Sequence, residues 1–518
     1  MEMEILQIVW VFLIMLLVLV ICVCGRGKRC FCYSRRKKRA VHGPRSYPVV
    51  GSLFSFWKNG GRHIEWYTEM LGKSPSQTIV VERLGGVRTI VTANPANVEH
   101  ILKTRFENYP KGEPFTEILQ DLLGTGIFNV DGEAWKLQRK VASHEFNTRS
   151  LRSFIVRVVD EATGRLVSIM DERSGGLDLQ DLLQRFAFDN ICKVAFGVDA
   201  GCLDVSLPES KLAEAMDVAT MLSSLRSTEP LAMVWKIKRF LNVGSERRLA
   251  EAVRVVHEFA LDVIRRRREE KAVPVPDLLS RFMAAFDDGS EEYLRDIIIS
   301  FILAGRDTTS SALTWFFWLL SSHRQVEDAV YNEIMSTLAA RPDADINTGF
   351  CFEELKSMNY LHAAICESMR LYPPVPFDSK HALANDVLPD GTFVAKGTRV
   401  TYHPYAMGRM TASWGADRLE FNPGRWLDER GCFVPQSPFK YAVFQGGTRV
   451  CLGKDMAFIQ MKYVAASIVV RFRLRPVGSA VSPRLVHCLT SRMAGGFPVS
   501  VERRPPPQPK PRTTVLHP

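Results

Sequence analysis

Residues 444–453 read Phe-Gln-Gly-Gly-Thr-Arg-Val-Cys-Leu-Gly, directly ahead of an apolar-periodic segment that predicts a helix from about Asp455 to Phe472. Cys451 therefore precedes a helix N-terminus, where free backbone N–H groups and the positive end of the helix dipole favour a thiolate. A thiolate is the form of cysteine that binds a metal. Alone, Cys451 would be interpreted as a structural cysteine in a Gly-rich turn, but the fixed spacing of its neighbours disfavours that interpretation.

The pattern Phe444-x-x-Gly447-x-Arg449-x-Cys451-x-Gly453 resembles the haem-ligand loop of the cytochrome P-450 monooxygenases. The resemblance implies that Cys451 is the axial ligand of the iron in haem b, and that Phe444 packs near its sulfur. It also implies that Gly447 and Gly453 let the backbone approach the porphyrin, while Arg449 pairs with a haem propionate.

A second signal lies in a long helix predicted over Tyr293–Leu320, which is apolar almost all round and should be buried. Residues 304–309, Ala-Gly-Arg-Asp-Thr-Thr, interrupt it with two charges, which argues against a membrane span. Gly and Thr disfavour a regular helix interior, so we expect a local widening here, with a merely strained core helix as the alternative.

The segment resembles the oxygen-activation segment of the same family. The resemblance implies that Ala304 and Gly305 make room over the iron, and that Asp307 and Thr308 relay protons to dioxygen.

Glu367 and Arg370 lie three residues apart on one predicted helical face, and residues 421–426 supply a second arginine, Arg425. By themselves they indicate an ordinary helical ion pair. The resemblance implies instead a buried network of Glu367, Arg370 and Arg425 that supports the cysteine loop.

Three further residues correspond to propionate donors of the family: Trp135 and Arg139 on one helix, and His381. Two positions depart from the family pattern. Thr448 stands where the family usually has Pro, and Gly424 replaces the Glu most common before Arg425. Thr448 leaves the cysteine loop without the fixed φ of a proline.

The formal net charge of +11 suggests at first a polyanionic partner such as nucleic acid. The excess lies at the two ends, because residues 1–39 carry +6, residues 503–518 carry +4 and residues 40–502 only +1. A nucleic-acid binder carries its cations on the folded domain, so the sequence excludes that class. With 46% hydrophobic and 24% charged residues the chain is not mainly disordered and can bury a large core.

Residues 5–24 are twenty uncharged, mostly apolar positions, long enough as a helix to cross a bilayer. Acids precede this run and cations follow it, unlike a cleavable signal peptide. We therefore predict a single-pass anchor over 1–25 in the endoplasmic reticulum membrane, with the rest of the chain in the cytosol. Cys30 and Cys32 are candidates for acylation.

The remaining pattern predicts a mainly α protein with small β-sheets, as in the cytochrome P-450 fold, in one catalytic domain. We expect a basic stretch and Pro/Gly hinge over 26–51, the haem-thiolate domain over 52–502, and a disordered basic Pro-rich tail over 503–518. A hairpin is predicted around residues 84–87, and a helix capped by Asn94 and Pro95 should run to Lys103. Further helices are predicted over 211–222, 246–271, 291–323, 325–339 and 455–472.

The resemblance is closest to the plant fatty-acid omega-hydroxylase branch, whose close relatives oxidise jasmonoyl–isoleucine. It is carried by residues 109–112, 126–132, 185–192, 300–309, 377–382 and 405–410. Both substrates join an apolar chain to a carboxylate, so the pocket needs an apolar channel and a cation at its mouth. Candidates are Phe115, Phe128, Phe377 and Phe497 for the channel and Lys111 for the carboxylate, although any one Phe is as readily interpreted as core.

No dinucleotide-binding fingerprint precedes a helix, so the electrons of NADPH should arrive through a separate flavin reductase. The cationic candidates for its docking are Lys136, Lys140, Lys440 and Lys454. Three rivals stay open: a haem-thiolate isomerase that consumes hydroperoxides, a Cys/His hydrolase that pairs Cys451 with His381, His403 or His487, and a non-catalytic membrane scaffold.

Overall fold

The longest helix organises the domain, as its apolar sequence predicts. It extends from Glu291 to Ser322, and the Ser290 hydroxyl accepts a hydrogen bond from the N–H of Tyr293 at its start. The computed structural model describes residues 42–144, 146, 158–173, 176–204, 206–207, 210–229, 232–269, 277–286, 290–341 and 349–505. The predicted anchor, the basic stretch, Cys30 and Cys32 lie outside these ranges.

Most of the described domain is helical. The helices are α1 (Leu53–Lys58), α2 (His63–Lys73), α3 (Pro95–Glu99), α4 (Glu113–Leu123), α5 (Gly132–Ser143), α6 (Asp160–Glu172), α7 (Leu179–Phe196), α8 (Lys211–Thr228), α9 (Ala232–Leu241), α10 (Ser245–Glu269), α11 (Leu278–Ala285), α12 (Glu291–Ser322), α13 (Arg324–Ala339), α14 (Phe352–Ser357), α15 (Asn359–Leu371), α16 (Pro404–Met407), α17 (Thr411–Trp414) and α18 (Lys454–Arg471). Asn94 caps α3 as predicted, but the segment continues to Thr104 as one turn of π-helix.

The strands form small sheets, as expected. They are β1 (Thr78–Glu82), β2 (Arg88–Thr92), β3 (Leu177–Asp178), β4 (Asp378–His381), β5 (Asp386–Val387), β6 (Phe393–Val394), β7 (Arg399–Tyr402), β8 (Phe472–Pro476), β9 (Leu485–His487), β10 (Ser491–Met493) and β11 (Pro498–Arg503). The largest sheet has the order β1-β2-β7-β4, with β2 and β7 parallel and its other pairs antiparallel. Strands β3, β11 and β8 form a second sheet, while β9 with β10 and β5 with β6 form two-stranded ribbons.

The core divides into three apolar clusters, and α12 joins two of them. Its first half, from Leu294 to Leu303, packs with α7, α8, α10 and α11. Its second half, from Ala312 to Leu320, packs with α15 and α18. The third cluster lies around the four-stranded sheet. The polar segment of α12 therefore falls between two apolar clusters.

The ends of the described domain differ from the predicted boundaries. At the start, Val80 N donates to His42 O at 2.9 Å, so the last part of the predicted hinge packs on β1. At the end, Arg503 closes β11 and the buried Arg504 guanidinium pairs with Glu327. The folded domain therefore continues to Arg504, two residues beyond the predicted boundary. Among the described helices, none is both long and apolar enough to span a bilayer.

Candidate active site

The cysteine loop folds as two short 3-10 turns joined by strained backbone. The turns are Ala442–Phe444 and Gly447–Arg449. Gln445, between the turns, has φ 63°, and Gly447, the first residue of the second turn, has φ 60°. Only glycine adopts such values without strain. The N–H of Cys451 donates to the carbonyl of Phe444 at 2.9 Å, and α18 begins at Lys454. The loop thus presents Cys451 close to the helix N-terminus, as the sequence predicts.

Cys451 is an accessible residue among many protein atoms. Part of its surface is exposed, yet many protein atoms surround its thiol, and the desolvation that they cause raises the pKa of that thiol. The N–H of Gly453 and the cations Arg139 and Lys454 act in the opposite direction without outweighing burial. Helix-end electrostatics alone therefore do not produce the thiolate, which in metal sites the bound cation itself enforces.

The glycines of the loop make room for protein backbone. A Cβ on Gly447 would lie 2.1 Å from the carbonyl oxygen of Leu102 in the π-helical turn. A Cβ on Gly446 would lie 2.9 Å from the ring of Phe439. Gly453 is less confined, since its Cβ would lie 3.6 Å from Phe146 and 4.0 Å from the sulfur of Cys451. Gly447 is thus required by contact with its own chain, a reason the resemblance does not supply.

The structure brings Glu367, Arg370 and Arg425 together. Arg370 Nε donates to Glu367 Oε2 at 2.7 Å and Arg370 Nη2 to Oε1 at 2.8 Å, while Arg425 Nε donates to Oε1 at 2.8 Å. The Glu367 and Arg370 side chains are fully buried. Arg370 also donates to the carbonyls of Arg418 and Glu420, so this pair is hydrogen-bonded on nearly every side.

Trp426 links this network to the cysteine loop, a role the sequence does not reveal. Its Nε1 donates to Glu367 Oε2 at 2.9 Å, and its ring packs edge-on against Tyr441 with centroids 4.8 Å apart. Tyr441 lies three residues before Phe444, and its hydroxyl donates to the carbonyl of Cys366 at 3.1 Å. The network therefore holds the start of the loop through two aromatic rings.

Arg449 lies in a pocket of acids and aromatic rings. Its guanidinium is 4.3 Å from the centroid of the Trp135 ring and pairs with Asp131. Asp131 is not among the site residues that sequence analysis selected. The Nε of Arg449 is buried without a hydrogen-bond partner among the described residues. Burial lowers the pKa of Arg449, although Asp131 opposes the effect. Arg139 donates to the carbonyl of Val450 at 2.6 Å.

Lys111 and His381 lie at the same end of the site as Arg449. Lys111 is buried, not at a channel mouth as predicted, with Nζ 4.6 Å from the ring of Phe115. Burial lowers the pKa of its amine to about 7, while Asp378 raises it and Lys380 and Arg449 lower it. His381 Nδ1 lies 2.6 Å from the carbonyl oxygen of Lys111, so the proton of the neutral ring is on Nδ1.

In the middle of α12 the accessible residues all lie in its polar segment. From Asp296 to Phe317 every residue is buried except Ala304, Gly305 and Thr308, whose spacing puts them on one face. The helix continues through them as regular α-helix, so the expected widening is not present. A Cβ on Gly305 would lie 2.6 Å from Cγ1 of Ile191, so this glycine is needed for close packing on α7.

Asp307 and Thr308 have different surroundings. The Asp307 side chain is buried and accepts a hydrogen bond from Arg306 Nη1 at 2.7 Å. Thr308 donates its hydroxyl to the carbonyl of Ala304 at 2.7 Å. Leu452, next to Cys451, packs against the apolar cluster that contains Leu303, the residue before Ala304.

The four phenylalanines proposed for the channel do not share one environment. Phe115 packs against the cluster around the first half of α12, and Phe377 is partly exposed beside His403. Phe128 is exposed at 36%. Phe497 is fully buried in the cluster around the second half of α12, so it belongs to the core.

The lysines proposed for reductase docking also differ. Lys136, Lys140 and Lys454 are exposed, and Lys136 pairs with Glu133 at 2.8 Å. Lys440 is half-buried, with Nζ 4.2 Å from the ring of Trp414, and donates to Gln436. Lys440 is therefore less available to a partner than the three exposed lysines, although Lys454 Nζ also lies 6.0 Å from the ring of Phe444.

Comparison with known proteins gives one consistent result. A family model described as Cytochrome P450 matches residues 41–488. The chain is 52% identical over 482 residues to Cytochrome P450 94B3 of Arabidopsis thaliana, covering 90% of this chain and 93% of that one. It is 49% identical to Cytochrome P450 94A1 of Vicia sativa, covering 89% and 90%. A solved structure titled crystal structure of cytochrome P450DA heme domain superposes with a TM-score of 0.75 at 21% identity, covering 90% and 98%, which is evidence on the fold alone.

Proposed function

The chain belongs to the cytochrome P450 family, and from that premise we propose that it is a member of the plant fatty-acid omega-hydroxylase and jasmonoyl–isoleucine hydroxylase branch and hydroxylates the omega carbon of a fatty acid or a related carboxylated acyl substrate. The observation that carries this proposal is the accessible Cys451 sulfur, together with the accessible positions 304, 305 and 308 on an otherwise buried helix. Accessible positions that are otherwise surrounded by protein suit the binding of a flat prosthetic group and an apolar chain.

The residues present fit a haem. Cys451 offers one accessible thiol that would bind the iron of the group. Near Lys111 and His381, the buried Nε of Arg449 has no hydrogen-bond partner among the described residues. Burial lowers the pKa of both Arg449 and Lys111. Buried cations with lowered pKa values are stabilised by added negative charge, which the two carboxylates of a haem would supply. We therefore assign Arg449 and Lys111 to these carboxylates, which leaves Lys111 unavailable for the carboxylate of the substrate. His381 would join them only with a second proton on Nε2, because its Nδ1 proton is donated to the carbonyl of Lys111.

When bound, the haem supplies the iron on which dioxygen is activated. The Cys451 thiolate would hold this iron and donate electron density to it. Asp307 and Thr308 hold and move the two protons with which the second oxygen atom leaves as water. The small side chain of Ala304 leaves space on the accessible face of α12, whereas Gly305 makes room for the packing of α7. The balance is one C–H bond, O2, NADPH and H⁺ giving one C–OH bond, H2O and NADP⁺.

The electrons of NADPH come from a separate flavin reductase that docks on the cysteine face. Exposed Lys136, Lys140 and Lys454 support this proposal, because exposed cations steer an acidic partner at low ionic strength. Reversing all three charges should slow reduction at low salt at least tenfold, and Lys396→Glu is the control on another exposed lysine. An unchanged rate would exclude this docking face.

Membrane attachment rests on two features. Residues 5–24 form the apolar run described above, and the domain exposes large apolar side chains, with Trp57 at 85% and Phe240 at 88%. We propose a single-pass anchor in the endoplasmic reticulum with a cytosolic domain. Alkaline carbonate should extract the chain lacking residues 1–25 but leave the full chain in the membrane.

The first test is spectroscopic. The reduced, carbon-monoxide-bound protein should show the long-wavelength Soret band of a thiolate ligand, and Cys451→Ala should abolish it. Cys432→Ala, at another exposed cysteine, should leave the band unchanged. A Soret band that survives Cys451→Ala would exclude the proposed ligand, and a wild type without haem would favour the scaffold or the hydrolase.

The second test distinguishes a monooxygenase from a haem-thiolate isomerase, since both would show the same carbon-monoxide spectrum. Membranes are incubated with lauric acid and with jasmonoyl–isoleucine in parallel, with and without NADPH and oxygen. The proposal predicts an omega-hydroxylated product that requires both. Conversion of a fatty-acid hydroperoxide without NADPH would indicate the isomerase instead. Product from jasmonoyl–isoleucine alone would shift the substrate to the hormone conjugate.

A further inference from the structure

Four charged side chains join α8, α12 and β10 beside the polar segment of α12. Arg306 donates to Asp307 Oδ1 at 2.7 Å and to Asp217 Oδ1 at 2.8 Å. Arg492 Nη2 donates to Asp217 Oδ1 at 2.7 Å, and its Nη1 lies 2.5 Å from Asp217 Oδ2. Two carboxylates and two guanidiniums give zero net charge. We call these four residues the four-charge cluster.

The two carboxylates share the arginines unequally. Asp217 is paired on both of its oxygens, whereas Asp307 accepts a single hydrogen bond on Oδ1. Asp307 Oδ2 is buried and has no hydrogen-bond partner among the described residues, and Arg492 Nη2 lies 3.7 Å from it. Native proteins rarely leave a buried carboxylate oxygen unpaired, so this one calls for an explanation.

We propose that Asp217 is a positioning residue for Asp307: by binding both arginines it leaves Asp307 Oδ2 free to take up and release the proton used in the reaction. The inference rests on the proposed function, in which Asp307 moves protons. A carboxyl group paired with two guanidiniums stays ionised well below neutral pH and cannot carry a proton. Without Asp217, both arginines would be available to Asp307 alone.

Asp217 itself demonstrates the effect. Burial would raise the pKa of its carboxyl, but Arg306 and Arg492 outweigh burial and hold the pKa below its usual range. Asp217 is also the most exposed member, with 35% of its side chain accessible, against 1% for Asp307. The residue that occupies the arginines is thus on the solvent side, and the residue that it frees is inside.

Two thiols of the described residues interact with the cluster. Cys488, on the β9–β10 ribbon, acts on Asp217, Asp307 and Arg492, and burial raises the pKa of its thiol. Cys202 acts on Arg306, and burial raises the pKa of its thiol to about 12. Both stay neutral near neutral pH. The charge balance at Asp307 is therefore set by Asp217, Arg306 and Arg492.

The test uses the full-length holoenzyme with reductase and compares product formed per NADPH consumed with peroxide released. Asp217→Asn lets Arg492 pair with Asp307 Oδ2, the oxygen that the proposal assigns to the proton. We expect product per NADPH to fall at least about fivefold, with peroxide in its place. Arg492→Gln removes the guanidinium that would occupy Oδ2 and should keep most of the product.

The double variant Asp217→Asn/Arg492→Gln restores charge balance and leaves Asp307 with Arg306. It should recover product per NADPH to within about twofold of the wild type, and Asp217→Glu should behave as wild type. A purely structural role predicts a double variant no better than the worse single variant, and that result would overturn the inference. If Asp217→Asn loses its carbon-monoxide band, Asp217→Glu and the double variant decide. A wild type without NADPH-dependent product would instead refute the proposed function.

Discussion

The Cα of Gly447 lies so close to the carbonyl oxygen of Leu102 that an added Cβ would sit 2.1 Å from it. The contact joins the cysteine loop to the π-helical turn His100–Thr104, and Gly447 has φ 60°. Neither group can give way easily, because both belong to the backbone. The position of the loop is therefore set by main-chain contact as well as by the Glu367 network.

Gly447→Ala should consequently displace the cysteine loop. We expect less than one tenth of the wild-type haem content, measured as the carbon-monoxide band per protein. Gly431→Ala is the matched control, because Gly431 has φ 76° but nothing within 4 Å of the Cβ position. It should cost only about 1–2 kcal/mol of stability and keep the haem. Equal effects of the two variants would refute the contact argument.

Glu367→Gln should strongly destabilise the fold. It removes the charge that two arginines share in a fully buried site, and breaking such a pair costs about 3–5 kcal/mol. Urea denaturation of the holoenzyme measures the change. Glu133→Gln, whose side chain is 89% exposed beside Lys136, should cost less than about 1 kcal/mol. A comparable loss in both variants would mean that the network adds nothing beyond a surface ion pair.

Lys111 predicts a pH dependence of haem retention. Burial lowers the pKa of its amine to about 7 without a bound anion, so above that pH a haem carboxylate must recruit a proton to it. The bound state then holds more protons than the free state, and haem affinity falls as pH rises from 7 to 9, by up to about tenfold per unit. Transfer of haem to an excess of apomyoglobin measures this.

In the same assay Lys111→Met should bind haem more weakly at pH 7 but lose the added dependence between pH 7 and pH 9. Lys396→Met, at an exposed lysine, should follow the wild type. If Lys111→Met kept the wild-type slope, Lys111 would not face a haem carboxylate.

Thr448→Pro should stabilise the protein slightly. Thr448 is exposed and lies inside the 3-10 turn Gly447–Arg449, where φ is near the value that proline fixes. We expect a gain of about 0.4–1 kcal/mol through the unfolded chain, with an unchanged carbon-monoxide band. Thr448→Ala should be neutral. A loss of stability with Pro but not with Ala would show that the turn needs the flexibility of the natural residue.

Most helices were predictable from sequence because their cause is local. The predicted span 293–320 became Glu291–Ser322, and 246–271 became Ser245–Glu269. The prediction 211–222 stopped six residues short of Thr228. The missing part holds the buried Ser223, Ser224 and Arg226, and Arg226 pairs there with Glu246 and Asp121. Polar residues normally indicate a helix end, and only tertiary pairing makes them interior.

The site divides in the same way. Cys451, Glu367 and Asp307 lie in short motifs that resemble those of a known family, so they could be proposed from the sequence. Asp131 and Trp426 did not stand out, since Asp131 meets Arg449 across 318 residues and Trp426 meets Glu367 across 59. One partner of Arg306 is also remote, since Asp217 is 89 residues away. No local pattern reports contacts of this kind, and Phe497 shows the converse, a plausible channel residue that packing assigns to the core.

The parallel pairing of β2 with β7 has a consequence for biosynthesis. Thr89 is in register with Arg399 and Thr92 with Tyr402, so the hairpin β1–β2 leaves the ribosome long before its neighbouring strand is translated. During that interval the edge of β2, with Ile90 and Val91, offers unpaired backbone groups to any other strand. Contacts so distant in sequence also slow folding. Chaperone capture of nascent chains should therefore persist until residue 402 has emerged, and strand β7 should be the element whose synthesis releases them.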